Sequence, residues 1–541
     1  MNLKVLVLIF ISLPLSMLAQ EDAWVYLSDK ENVSASIANP ISILTQKAIN
    51  RKNNHGVVID ERDIPVNEAY ITALKNSTGI TVMAKSKWFN AVHVRGSQTD
   101  IQALTSLTFV NTIHFADKSL NAKTTKAKHK QSQPSKLEST FTIFNYGSAA
   151  NQIEMFNGDD LHLANYTGTG MTVAVLDSGF PNVHIMTSFQ RLRDAGHVLG
   201  SYDFVNRDTD VYTSTTSSHG TWVLSVMAGY IENEFVGTAP DASYYLFITE
   251  DAPNENPVEE SYWVEAAERA DSLGVDVINT SLGYTTYDNS NYSYAPANMD
   301  GNTAYITKGA NIAFEKGMLL VNSAGNSGRP TDPWQIVGAP ADAAGVLSIG
   351  AVDAIGVLAD FSSKGNATQP SHKPDVVAQG EASYIITEND VIATANGTSF
   401  SSPILAGGIV CLWQALPNKT NAEIMQLVRE SGSQYTAPDY FLGYGIPDMQ
   451  LALNMGLSVE DNENNDLNIF PNPTKGMIYI SLPSDSTVLS AKIFNVLGEE
   501  INTFIISNSN NSIDVSRLSN GLYILKFETN KTSKLFKIIK N

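Results

Sequence analysis

The 541-residue sequence predicts an α/β protein whose central sheet is parallel. In the middle of the chain, short apolar runs typical of buried strands alternate with longer segments typical of helices. This alternation favours a parallel sheet that carries helices on both faces. The regions on either side differ from the middle and predict a small α+β domain before it and a small all-β domain after it.

The elements of the middle region follow one another in a regular order. Strands are expected at 172–176, 242–248, 275–280, 317–322 and 346–351. Helices are expected at 220–229, 258–273, 303–316, 399–415 and 420–431. Unbroken apolar runs of strand length are what strands of a sheet covered on both faces require.

The region before the middle shows the order βαββαβ. Strands are predicted at 24–27, 79–82, 91–94 and 110–115, and helices at 41–50 and 101–107. This order suits a small α+β domain. After an acidic, asparagine-rich linker at 458–466, the last region has alternating β character.

Composition limits the classes of function. The chain carries 35 basic and 55 acidic residues, a net charge of −20. Residues 141–457 hold 11 basic and 35 acidic residues, a net charge of −24, which disfavours nucleic acid and anionic membranes as partners.

Six lysines between 118 and 136 lie among small and polar residues, and we interpret them as a solvated, easily cut linker because no aromatic or repeated pattern supports nucleic-acid binding. The single cysteine, Cys411, excludes an intrachain disulfide, and its apolar surroundings predict a buried thiol with no catalytic part.

Residues 1–20 have the features of a signal peptide. A lysine precedes a short apolar run, and small residues lead up to Ala19. No other apolar stretch of the sequence approaches the length of a membrane span, so an exported protein without a membrane span is predicted.

Three polar residues lie where nucleophilic chemistry needs them. Ser399, in G-T-S-F-S-S-P, comes just before an apolar run, so it is expected at a helix N-terminus, which favours developing negative charge. His219 lies in the small-residue loop S-S-H-G-T-W, and Asp177 ends an apolar strand. Singly, these residues could be a helix cap, a core histidine and a turn aspartate. Together they supply the nucleophile, base and orienting carboxylate that activate a serine.

These blocks resemble those of the subtilisin-like serine proteases, over roughly 144–455. V-A-V-L-D-S-G, S-H-G-T-W-V and G-T-S-F-S-S-P match the three catalytic blocks of that family, and they follow in the order Asp, His, Ser. The resemblance implies catalytic roles for Asp177, His219 and Ser399. It also implies that Asn326, in the block A-G-N, binds the oxyanion.

The same resemblance implies how a substrate is held. Ser281, Leu282 and Gly283 would pair with the substrate backbone, and Ser323, Ala324 and Gly325 would form the facing wall of the first pocket. Residues 338–341 would line its bottom, where small residues leave room for a sizeable P1 side chain.

The flanking regions also resemble known domains. Residues 21–116 resemble an inhibitory propeptide, with a plain structural domain as the alternative, and maturation is expected between 116 and 145. Residues 467–541, with P-N-P-T-x-G and L-x-x-G-x-Y blocks, resemble the C-terminal sorting domain of the type IX secretion system. A carbohydrate- or protein-binding β-sandwich is the alternative there. The resemblance implies a secreted or cell-surface protein of a Gram-negative bacterium.

The resulting organisation has six segments: a signal peptide at 1–20, a propeptide at 21–116, a basic linker at 117–143, a catalytic domain at 144–457, an acidic linker at 458–466 and a sorting domain at 467–541. The expected partners are protein or peptide substrates, the propeptide as an intramolecular inhibitor and the secretion machinery. The expected function is that of a secreted serine endopeptidase made as a zymogen, with a binding protein on an inactive scaffold and a narrow processing enzyme as alternatives.

No cofactor is predicted with certainty. Structural calcium is common in the family, and the candidate oxygen ligands are Asp203, Asp208 and Asp210, or Asp288 with Asp300. These residues do not form a spaced ligand loop, so solvated carboxylates are the preferred interpretation and no metal site is assigned.

Overall fold

The computed structural model describes residues 20–121, 144–213, 217–457, 468–481, 489–495, 500–507, 510–528 and 533–541. The chain forms two compact units, Met1–Leu457 and Ser458–Asn541. Residues 1–19 of the predicted signal peptide, residues 122–143 of the predicted basic linker and the whole acidic linker at 458–466 lie outside the described residues. Within the described part of the chain, no helix is both long enough and apolar enough to cross a membrane.

The N-terminal region, 20–121, is a four-stranded antiparallel sheet with helices. Its elements in chain order are β1 Gln20–Leu27, α1 Val33–Ala38, α2 Gln46–Asn54, α3 Glu68–Lys75, β2 Thr81–Ser86, β3 Ala91–Ser97, α4 Gln98–Ala103 and β4 Val110–Phe115. The strands lie in the order β2-β3-β1-β4. The predicted α+β character and all four predicted strands are confirmed.

The two helices predicted in this region are displaced, and two others were missed. The helix expected at 41–50 begins instead at Gln46, because Thr45 caps it by accepting a hydrogen bond from the N–H of Ala48. The helix expected at 101–107 begins at Gln98, where Ser97 is the cap, and it ends in a 3₁₀ turn. Helices α1 and α3 were not predicted, since both are short and α1 buries no residue.

The middle region contains the large sheet. Its elements in chain order are α5 Ala150–Glu154, α6 Gly158–Leu163, β5 Thr172–Asp177, α7 Gln190–Asp194, β6 Val198–Asp203, α8 His219–Ala228, β7 Tyr230–Ile231, β8 Phe235–Val236, β9 Ser243–Ile248, α9 Val258–Leu273, β10 Val277–Thr280, α10 Tyr305–Glu315, β11 Leu319–Ser323, β12 Val346–Val352, β13 Val376–Gln379, β14 Ser383–Ile386, β15 Ile392–Ala395, α11 Thr398–Ala415, α12 Asn421–Glu430 and α13 Met449–Leu457. Every helix and strand predicted for this region is present, with ends that differ by two residues at most.

Seven strands form the sheet, in the order β13-β12-β11-β10-β5-β9-β6. Every pairing within it is parallel, which confirms the predicted fold class. The outer strands β6 and β13 were not predicted. Because all seven strands run the same way, the residues that follow them meet at one edge of the sheet, where sites in open α/β sheets are built.

Alternate residues of the strands point into two separate cores. Val173 and Val175 pack with α8, α11, α12 and α13 on one face of the sheet. Ala174 and Leu176 pack with α9 and α10 on the other face. The second core continues into the N-terminal region, which contributes Trp24 and Trp88 to it.

The second unit consists of short antiparallel sheets, as predicted. Its strands are β16 Asn468–Phe470, β17 Met477–Ser481, β18 Leu489–Phe494, β19 Glu500–Ile506, β20 Ser512–Asp514, β21 Gly521–Glu528 and β22 Ser533–Lys540. They form two sheets, β16-β17-β20 and β19-β18-β21-β22, around a small core that includes Ile478, Ile493 and Leu525.

Candidate active site

Three neighbouring strands bring candidate site residues to one edge of the sheet. Asp177 is the last residue of β5, Ser281 follows β10, and Asn326 follows β11 by three residues. These strands are adjacent in the order β11-β10-β5. The two remaining candidates, His219 and Ser399, lie in the first turns of α8 and α11.

Asp177 and His219 form a hydrogen-bonded pair. His219 Nδ1 lies 2.8 Å from Asp177 Oδ1, and Asp177 is fully buried while the His219 side chain is 27% exposed. The N–H of Ser178 donates to the same carboxylate oxygen at 2.8 Å. Burial opposes protonation of His219, but the charge and the hydrogen bond of Asp177 outweigh it and raise the pKa of the imidazole above its usual value.

Ser399 occupies the predicted helix N-terminus. Gly397, immediately before the helix, has φ 151°, a backbone conformation that side-chain-bearing residues rarely adopt. Ser399 Oγ donates to the carbonyl of Ser281 at 3.2 Å, and Ser281 Oγ donates in return to the carbonyl of Ser399 at 2.9 Å. No hydrogen bond joins Ser399 to His219 within the described residues.

The side chain of Asn326 is held in one orientation by Thr398. Its Oδ1 accepts from both the N–H and the hydroxyl of Thr398, each at 2.9 Å. Thr398 Oγ1 in turn accepts from the N–H of Gly325 at 3.1 Å. With Oδ1 engaged in this way, the amide Nδ2 is left to donate elsewhere.

Ser399 and Asn326 both line a pocket of about 190 Å³. The six residues predicted to bind substrate line it as well, namely Ser281, Leu282, Gly283, Ser323, Ala324 and Gly325. Of residues 338–341, which were predicted to line the bottom of the first pocket, Gly338 lines this pocket. None of the described residues that line the pocket carries a charge.

Several residues of the site were missed by the sequence analysis. Thr285, Trp334, Ile336 and Ser363 also line the pocket. Trp334 and Ile336 come from a loop without a periodic pattern, so the sequence offered no signal for them. Thr398, which orients Asn326, was also missed, although its place in the same block as Ser399 could have indicated it.

Most of the candidate calcium ligands accept hydrogen bonds from backbone N–H groups of their own loops. Asp203 accepts from the N–H groups of Val205 and Asn206, and Asp300 accepts from those of Asn302 and Thr303. Nowhere in the described structure do three or more His, Cys, Asp or Glu side chains form a group that could hold a metal ion. The prediction of calcium therefore stays without an assigned site.

Comparisons with known proteins match all three regions of the chain. Residues 168–445 match the Subtilase family, and residues 22–134 match the peptidase S8 propeptide domain of Bacteroidota. The chain belongs to the subtilase family. Residues 468–541 of this subtilase match the secretion system C-terminal sorting domain.

Similar proteins include several subtilisins. Subtilisin E of Bacillus subtilis (strain 168) is 28% identical over 386 residues, which cover 71% of this chain and 90% of the relative. Subtilisin of Bacillus pumilus is 29% identical over 302 residues, which cover 56% and 97%. A thermophilic serine proteinase of Bacillus sp. (strain AK1) is 28% identical over 279 residues, which cover 51% and 60%. This subtilase is a serine endopeptidase with a propeptide and a secretion sorting domain.

Proposed function

We propose that this subtilase cleaves peptide bonds through Asp177, His219 and Ser399, by way of an acyl-enzyme. The observation that carries the proposal is the 2.8 Å bond from His219 to the buried Asp177, beside a pocket that Ser399 and Asn326 share. Ser399 bonds to Ser281 instead of His219. A catalytic hydrogen bond of this kind often forms only when substrate binds, so the alternative bond does not argue against the assignment.

In the first half of the reaction, His219 takes the hydroxyl proton of Ser399 as Oγ forms a bond to the substrate carbonyl carbon. Asp177 fixes the imidazole tautomer and stabilises the imidazolium. Asn326 Nδ2 and the N–H of Ser399, which lies in the first turn of α11, donate to the oxyanion. His219 then protonates the leaving amine as the C–N bond breaks, and water hydrolyses the ester in the second half.

Substrate recognition follows from the pocket and the strand beside it. Residues 281–283 would pair with the backbone of an extended peptide, which gives affinity without selecting a side chain. The uncharged wall, with Trp334 and Ile336, favours an apolar P1 side chain over a charged one, because a charge placed there would lose its hydration without gaining a partner.

The flanking regions complete the proposal. The propeptide would inhibit the enzyme until the chain is cut between 116 and 145. The sorting domain would direct export by the type IX machinery across the outer membrane of a Gram-negative cell, to the surface or the medium. The matches to a Bacteroidota propeptide and to a secretion sorting domain support both statements.

Labelling with a fluorophosphonate tests the proposed nucleophile. Attack by Ser399 Oγ forms an O–P bond and releases fluoride, so intact mass should rise by one adduct on the trimmed protein. The Ser399→Ala variant should show none. Ser401→Ala is the matched control, because Ser401 is a buried serine of the same helix that donates to Thr398 and should leave the label in place. Correctly trimmed, folded parent protein without an adduct would contradict the proposal.

A further inference from the structure

Two contacts of the N-terminal region with the catalytic domain involve α9 and the residues that follow it. One contact lies on the outer surface of α9, where Glu268 accepts from the N–H groups of Lys87 and Trp88. The other is made by residues 45–63, which we call the anchor segment. It reaches a part of the catalytic domain that has no role in the proposed chemistry.

The anchor segment lies at the edge of the sheet opposite the candidate active site. Its partners include Thr172, the first residue of β5, and Asp276, which immediately precedes β10. Lys316, three residues before β11, is a further partner. We call this place the edge notch, formed by Thr172, Asp271, Val275, Asp276 and Lys316. The amino ends of the same three strands whose carboxyl ends carry the candidate active site thus form a second docking surface.

Two cations of α2 meet one buried carboxylate of the notch. Arg51 lies 2.5 Å from Asp271 and also donates to the carbonyl of Val275 at 2.6 Å. Lys52 Nζ lies 2.7 Å from the same Asp271 side chain. Burial opposes ionisation of Asp271, but the charges of Lys52 and Arg51 outweigh it and lower the pKa of the carboxyl to about 2.

The charges alternate between the two partners. Lys316 of the notch lies 2.6 Å from Asp63 and 2.9 Å from Asp60 of the anchor segment. Lys52 also lies 3.1 Å from Asp63, so the two groups of ion pairs form one network. The side chains of Lys52, Asp63 and Asp271 are fully buried.

Backbone contacts fix the position of the anchor segment. The N–H of Thr45 donates to the carbonyl of Ser272 at 2.9 Å, immediately before the helix. Gly274 has φ 83°, and a Cβ there would lie 2.6 Å from the backbone nitrogen of Ala48. Any larger residue at 274 would therefore push α2 out of the notch.

From this network we infer that the edge notch is a second binding site for the propeptide, and that it keeps the cleaved propeptide on the enzyme independently of the active-site cleft. Separating the partners would leave fully buried charges without partners until water reaches them, which makes dissociation slow. Departure of the anchor segment from the notch is then the step that releases the cut propeptide. The inference rests on the proposed zymogen scheme, since it concerns a propeptide that has been cut from the catalytic domain.

The test uses a Ser399→Ala chain with a recognition sequence for an unrelated, sequence-specific protease placed within residues 122–143. After cleavage by that protease, the rate at which the N-terminal fragment leaves is followed by native mass spectrometry and size-exclusion chromatography. The Arg51→Gln/Lys52→Gln double variant should release the fragment about 100-fold faster or more, the cost of breaking a buried ion pair. Since Ser399 is absent throughout, the result does not depend on whether Ser399 is the nucleophile.

The control variant is Lys85→Gln. Lys85 lies in the N-terminal region, like Arg51 and Lys52, and pairs with Glu68, but the side chains of Lys85 and Glu68 are 44% and 67% exposed. Removing such a pair should change the release rate by no more than about threefold. Release from the parent should stay slow in roughly 0.5 M salt, because buried pairs are little screened.

Circular dichroism of the uncut chains shows whether each variant folds. If the double variant does not, Lys47→Gln replaces it, since Lys47 is partly exposed and pairs with Asp276 at 3.1 Å. That variant should speed release by about fivefold, the upper end for a partly exposed ion pair. A folded double variant that keeps its fragment as long as the parent would overturn the inference, as would immediate release from the parent.

Discussion

The two edges of the seven-stranded sheet are built in opposite ways. At the carboxyl edge, His219 is partly exposed, and Ser399 and Asn326 are each positioned by one or two hydrogen bonds. At the amino edge, Lys52, Asp63 and Asp271 are fully buried in a network of ion pairs. The first edge orients a few groups and leaves them free to act on a ligand. The second pairs its buried charges with opposite charges inside the zymogen. Substitutions at the first edge should therefore reduce rates with little loss of stability, and those at the second should do the reverse.

The largest effect is expected for Asp177→Asn. Without the carboxylate, His219 loses the partner that fixes its tautomer, and kcat should fall by about 10⁴-fold. Peptide hydrolysis by the matured variant, with thermal unfolding as a check of the fold, measures this. An activity within tenfold of the parent would exclude the proposed role of Asp177.

The Asp177→Asn substitution should also change the pH dependence of kcat/KM in a definite direction. His219 must be neutral to accept a proton, so kcat/KM of the parent should fall as pH drops through the pKa of His219. Asp177 raises that pKa above the usual value of 6.5, against the effect of burial. In Asp177→Asn only the burial effect remains, so the acid limb of the residual activity should move to lower pH.

At the opposite edge, Asp271→Asn should act on stability. Arg51 and Lys52 would keep their buried charges without the carboxylate that both contact, at a cost of about 3–5 kcal/mol. The midpoint of urea unfolding of the uncut Ser399→Ala chain should fall accordingly. Lys85→Gln, which removes an exposed pair, should change the free energy of unfolding by about 1 kcal/mol or less. Equal shifts for the two variants would remove the distinction between the edges.

The difference between the edges also explains what the sequence could predict. Short blocks of small or apolar residues surround each of Asp177, His219 and Ser399. The neighbouring sequence therefore predicts that each residue lies at the end of a strand or the start of a helix. The helix at 258–273 was predicted to the residue, because its length and composition are local features. The ion pair of Arg51 with Asp271 joins residues 220 positions apart. The sequence around Arg51 and the sequence around Asp271 contain no pattern that predicts their ion pair. Likewise, no local pattern predicts that Trp334 lines the pocket.

A smaller effect is expected for Asn326→Ala. Removing one donor to a developing oxyanion costs about 10²–10³ in kcat, because the charge exists only in the transition state. KM should change little, since the ground-state carbonyl gains less from the same donor. Steady-state kinetics on one peptide substrate measure both constants, and a loss confined to KM would assign Asn326 to ground-state binding.

The smallest effect, and the sharpest test of how the carboxyl edge is organised, is expected for Thr398→Val. The hydroxyl of Thr398 holds Asn326 Oδ1 at 2.9 Å, while the N–H of Thr398 holds the same oxygen and is kept in the variant. Valine removes one of the two neutral hydrogen bonds to Asn326 Oδ1, and also the acceptor of the Gly325 N–H. We expect kcat to fall by about tenfold, roughly the free energy of one such bond. Because Thr398 acts through Asn326, the double variant with Asn326→Ala should be no slower than Asn326→Ala alone. Losses that multiply instead would show that Thr398 acts on the reaction without Asn326.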